Sequence, residues 1–165
     1  MTESPGSRSA EARNLATVGE DLDGPLFSAM AEAPRLARAY FEFGAGLIKS
    51  CGLDPALREL AIAMTLAACG AQSMARRHLA LAGSLGADAA KIERLQDFED
   101  EPGFAEPEKA VLRFARESAL GVSVSAEIYG GLQDWFDVRS QAAIALLVAY
   151  YAGLAHIAVP LGAEP

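Results

Sequence analysis

Two polar residues sit where their neighbours are apolar. Glu59 shares a helical face with Ala56, Ala63 and Leu66, and His78 shares one with Met74, Leu81, Ala82 and Leu85. Both are expected to point inward. An inward carboxylate needs a partner or a raised pKa. A histidine can be that partner and can also move a proton near neutral pH. The two residues fall on consecutive helical segments joined near Gly70, so antiparallel packing could bring them together as an acid/base pair. The competing reading is structural: Glu59 bonds Arg58 or a helix N-terminus, and His78 is a satisfied core histidine. Around this pair, Arg58 and Arg77 have the guanidinium geometry that holds a substrate carboxylate. Tyr150 and Tyr151 could donate to a ligand oxygen, although a tyrosine in an apolar helix is commonly a core residue. His156 reads the same way, Trp135 reads as an anchor under the last helix, and Met30, Met64 and Met74 read as gap fillers.

The elements that must position these groups follow from start and stop signals. Residues 1–22 read as a mobile polar tail, and residues 23–165 as one domain. Gly24-Pro25 opens a short helix through Ala31, and Pro34 begins the next. That helix places Leu36, Ala39, Tyr40, Phe43, Leu47 and Ile48 on one face and stops at Cys51-Gly52. Asp54-Pro55 is an N-cap followed by proline at the first helical position. The helix it opens turns apolar on every side and should be central. Another runs from Gln72 or Ser73 to a left-handed C-cap near Gly86. Asp88 should cap AAKIERLQDF. The acidic stretch 97–108 reads as a solvated loop. Glu106-Pro107 starts a helix ending at Gly121, Ser125 caps SAEIYGGLQDWF, and a last helix runs from Val138 to Val159. No stretch alternates with period two for long enough to build a sheet. The fold class is therefore all-α, with seven or eight antiparallel helices.

Composition narrows the function. The formal charge is −8 and the longest cationic run is Arg76-Arg77, which argues against nucleic acid. The segment from Gln141 to Val159 is long and apolar. It holds Tyr150, Tyr151 and His156, ends at Pro160 and has no flanking cationic cluster, so it reads as a helix buried in a core or subunit interface, not a membrane span. No apolar leader follows Met1, and the expected location is the cytoplasm. Only two histidines are present and no phosphate-binding or hydrolase motif, so neither a metal nor a cofactor is expected.

The run LDPALRELAIAMTLAACGAQSMARRHLALAGSLGADAAKIERL resembles the core of the carboxymuconolactone decarboxylase-like superfamily, which includes alkylhydroperoxidase D. APRLARAYFEFGAGLIKSCGLDPALREL resembles its lead-in helix, and LLVAYYAGLAHIAVPLG its last one, so the resemblance spans roughly residues 26–162. It implies an alkylhydroperoxidase D-like helical fold that assembles through apolar helices as a homotrimer or homohexamer. The peroxidase branch carries Cys-x-x-Cys-x-x-x-His, with a glutamate twelve residues before the first cysteine. Glu59 and His78 match that pattern, whereas Ala71 and Met74 stand at the cysteine positions. Cys69 lies two residues too early and has no partner three residues away. Many non-redox members place a glutamate four residues before the histidine, which is again Met74. Many also carry late histidines, near Ala149 and Ala152 here. The resemblance then implies a cofactor-free lyase or isomerase acting on a small organic acid, lactone or enone. His78 and Glu59 would be catalytic, and Arg58, Arg77, Tyr150 and Tyr151 would bind substrate. A non-catalytic ligand-binding or structural oligomer is the first alternative, and a thiol peroxidase the second.

Overall fold

A computed structural model describes residues 25–121 and 123–162. The tail expected over residues 1–22 lies outside them. The described residues form eight α-helices and no strand: α1 (Pro25–Ala31), α2 (Pro34–Ser50), α3 (Pro55–Ala68), α4 (Gln72–Ser84), α5 (Ala89–Glu93), α6 (Glu106–Leu120), α7 (Ala126–Gln133) and α8 (Val138–Ala158). The all-α expectation holds.

Helix α3 is the axis of the molecule. Asp54 caps it by accepting from the Ala56 and Leu57 amides, and Pro55 occupies its first turn. Ten of its residues are buried, so it is apolar on nearly every side, with α4, α6 and α8 packed around it. It ends in a Schellman turn. Gly70 takes φ +83°, its amide donates to Ala67, and the Ala71 amide donates to Leu66. Helix α4 leaves that turn and ends the same way, with Gly86 at φ +100°, donating to Gly83, and Ala87 donating to Ala82. The stop at Gly70 joins α3 and α4 in a tight helical hairpin.

Several expectations are corrected. In α2 the buried face is Ala37, Phe41, Gly44 and Leu47. Leu36 and Phe43 are exposed at 74% and 48%, so the apolar stripe read from the sequence lies one edge away from the core. In α4 the inward stripe is Met74, Ala75, His78, Leu79 and Ala82, while Leu81 and Leu85 are exposed. The helix expected from Asp88 breaks after Glu93 into a 3₁₀ turn over Leu95–Asp97, and the Asp88 side chain caps nothing. The acidic stretch is no simple solvated loop. Phe98 and Phe104 are buried, Glu99 is tied to Arg113 at 2.6 Å, and Lys109 donates to the Glu99 carbonyl. Trp135 is exposed at 55% and is not an anchor; Phe136 packs against the core instead. His156 is exposed in the last turn of α8, where a cation complements the helix dipole.

Helix α8 is long and apolar enough to cross a membrane by length and composition, and 56% of its apolar window is buried within the protein. Ala142, Leu146 and Ala149 face outward, so it is not enclosed on all sides. Its inner face closes on α2 through an aromatic stack. Tyr40 and Tyr150 lie 4.6 Å apart and nearly parallel, and the Tyr40 hydroxyl donates to the Tyr150 carbonyl at 2.8 Å. Gly44 lies under the Tyr150 ring, where a Cβ would strike the ring and its hydroxyl. Gly46, on the opposite side of the same helix, has open space. Gly44→Ala should therefore cost about 1–3 kcal/mol through overpacking. Gly46→Ala should gain up to about 1 kcal/mol from helix propensity. Urea denaturation midpoints of the two variants should move in opposite directions.

Candidate functional site

The α3–α4 hairpin brings Glu59 and His78 into contact: Nδ1 of His78 lies 2.7 Å from Oε2 of Glu59. Glu59 is 1% exposed, on the side chain and overall. Burial alone pushes its carboxyl up, but hydrogen bonds and charge from His78 and Arg58 outweigh burial and hold it below the ordinary value. An ionised carboxylate only accepts hydrogen bonds, so the proton of this contact belongs to Nδ1 of His78. The other ring nitrogen, Nε2, has no hydrogen-bond partner among the described residues.

Arg58 completes the site from the adjacent position. Its Nε donates to Oε1 of Glu59 at 2.9 Å, Nη2 lies 2.9 Å from the same oxygen, and Nη1 donates to the Ile48 carbonyl at 3.2 Å. That carbonyl is in the last turn of α2, where helix geometry leaves acceptors unsatisfied. Arg58 thus fastens the end of α2 to the buried carboxylate, and all three of its nitrogens are engaged.

A cavity of about 160 Å³ opens beside the pair. Its walls are Ala45, Ile48 and Lys49 from α2, Arg58 and Glu59 from α3, His78 and Leu81 from α4, and Tyr151 from α8. The Tyr151 ring meets the His78 imidazole edge-on, with centroids 5.1 Å apart. Of the six residues singled out from the sequence, Glu59, His78, Arg58 and Tyr151 come together here. Tyr150 is one position off, buried in the Tyr40 stack. Arg77 is exposed on α4 and does not line the cavity. Lys49, Ile48 and Ala45 were missed, because no sequence period tells which helix end will close over a neighbouring hairpin. The one local signal was a lysine in the last turn before the Cys51-Gly52 stop.

Ala71 and Met74, at the positions where the redox branch has cysteines, are both buried. Cys69 is half-buried and burial pushes its thiol pKa up, which disfavours the thiolate a peroxidase needs. Among the described residues no group of three or more metal-binding side chains occurs.

An all-α protein built on a glycine-stopped hairpin, with a buried Glu–His pair facing a small cavity, defines the class. The chain belongs to the carboxymuconolactone decarboxylase family, whose model matches residues 34–117. That match holds Lys49, Arg58, Glu59 and His78 and ends before Tyr151. No curated protein matches the chain.

The lowered pKa of Glu59 makes stability depend on pH with a definite sign. Well above the ordinary carboxyl value near 4.5, both folded and unfolded states are ionised and the full contribution is present. As the pH falls below it, the unfolded chain takes up its proton first, and the contribution is lost by the time the folded carboxyl protonates. The urea midpoint of the native chain should fall below about pH 4.5 more steeply than that of Glu59→Gln. Parallel curves would show that Glu59 is not held ionised.

Proposed function

We propose that the protein is a cofactor-independent acid/base catalyst, a lyase or isomerase acting on a small organic acid, lactone or enone. The observation that carries this reading is the orientation of His78. A buried carboxylate fixes Nδ1 as the protonated nitrogen, so Nε2 is the atom able to take up or deliver a proton. In that step Nε2 accepts a proton from a carbon or hydroxyl of the substrate, and Glu59 stabilises the imidazolium that forms. The same proton then returns to a different atom in an isomerisation; in a decarboxylation the substrate carboxylate leaves as carbon dioxide, and Nε2, protonated from solvent, delivers that proton to the carbanion left behind. Arg58 keeps Glu59 ionised, and Tyr151 supports the imidazole ring from α8. Tyr150 acts from beneath, through the stack that places Tyr151, and Arg77 has no part at the reacting atoms. The enzyme acts in the cytoplasm as a homo-oligomer, with exposed Leu36, Phe43, Leu81 and Leu146 available to the contacts between copies.

A second reading has one observation in its favour. Both Glu59 oxygens already have partners, an arrangement that equally describes a structural ion-pair network in a ligand-binding protein. Turnover decides between them. A panel of β-keto acids, lactones and enones is screened with the native chain, then with His78→Ala and Glu59→Gln. General acid/base catalysis contributes about 10²–10⁴-fold, so each substitution should lower turnover by that order. Helix content and oligomer size, followed by circular dichroism and light scattering, should be retained. Activity that survives both substitutions would remove the pair from the chemistry, and a panel without any turnover would favour the binding protein.

A further inference from the structure

Lys49 is the cavity cation whose charge is not already used. Arg58 spends its three nitrogens on Glu59 and on the Ile48 carbonyl. Lys49 lines the same cavity from the last turn of α2 and makes no ion pair or hydrogen bond among the described residues. Across the cavity walls the charges of Glu59 and Arg58 offset each other. Lys49 is therefore an uncompensated positive charge at the cavity, in a chain whose formal charge is −8. In such a chain an uncompensated cation at a cavity mouth sets a local potential opposite to that of the surface around it.

From this we infer that Lys49 is the anion-recognition residue of the site and selects small monocarboxylates. The inference rests on the acid/base site proposed above and assigns to Lys49 the substrate-holding role that guanidinium chemistry suggested for Arg58 and Arg77. A monoanion fits better than a phosphate. The site offers one point charge, and Lys49 stands at the carbonyl end of α2, where the helix dipole opposes further negative charge. Size sets the rest of the ligand. A cavity of about 160 Å³ is close to the roughly 150 Å³ apolar cavity that holds one benzene molecule. A body of one six-membered ring fills it against Ile48, Leu81 and Tyr151, its carboxylate at the mouth on Lys49 and its ring carbons beside His78.

Benzoate and its uncharged isostere benzamide are the probes, titrated into the full chain at low ionic strength and followed by calorimetry or by ¹⁵N-resolved shifts of α2 and α4. Benzoate should bind up to about fivefold more tightly than benzamide, the upper end of the range for one accessible charge pair. Added salt should erode that preference. Lys49→Gln should abolish the preference and leave benzamide affinity unchanged, Lys49→Arg should keep it, and His78→Ala should keep it as well. Equal affinities in the native chain, a preference that survives Lys49→Gln, or no benzoate binding would each overturn the inference. The two proposals fail separately. A Lys49-dependent preference without turnover on any panel compound would sink only the catalytic reading. Turnover dependent on His78 and Glu59 without charge preference would sink only the role of Lys49.

Discussion

The interior of this protein is organised around one ionised carboxylate. Removing a carboxylate from water is expensive unless charge and hydrogen bonds replace the lost hydration. Glu59 is almost completely buried, and its replacements come from two directions. Arg58 arrives from its own helix and His78 from the next. Each partner brings a structural element with it. Arg58 also binds a terminal carbonyl of α2, and His78 holds α4 against α3. Removing either partner would leave a buried charge half satisfied, a change commonly worth about 3–5 kcal/mol.

The same constraint explains the chemistry available at the site. A histidine whose Nδ1 is fixed by a carboxylate presents Nε2 in one tautomer and one orientation. The walls beyond it are mostly apolar, and the ring of Tyr151 blocks one side of the imidazole. Tyr151 owes its place to the stack beneath it, where Tyr40, Tyr150 and the bare backbone of Gly44 let α2 and α8 approach closely. An aromatic contact well outside the cavity thus sets the geometry inside it. No comparable arrangement surrounds Cys69, whose thiol is pushed toward its protonated form.

Charge is distributed unevenly for a reason the fold supplies. The acidic stretch before α6 is drawn in by the Arg113–Glu99 ion pair and by a hydrogen bond from Lys109 to the Glu99 carbonyl, with Arg116 lying over Phe98 and Phe104 buried beneath. Those contacts neutralise part of the negative charge far from the cavity. Near it, Arg58 and Glu59 offset each other, and Lys49 lines the cavity without an ion pair among the described residues.

Local signals in the chain were strong enough to determine most of the helices and their stops, the segment after Asp88 excepted. Asp54-Pro55, Gly70, Gly86, Glu106-Pro107 and Ser125 act through backbone geometry that depends on a few adjacent residues. Glu59 and His78 were legible as inward groups because each interrupts an apolar helical face. Which edge of an amphipathic helix faces the core was not legible. In α2, Leu36 and Phe43 lie on a convincing stripe, yet the smaller Ala37 and Gly44 pack inside, Gly44 because Tyr150 needs the space. Tyr150 and Tyr151 are adjacent in sequence and identical in type. Only the rotation of α8 against α2 decides that one supports the stack and the other lines the cavity. Lys49 belongs to the site for the same reason. Helix type and helix ends are local properties of the chain, whereas a site assembled from four helices depends on how their side chains interlock, and that is settled only when they pack.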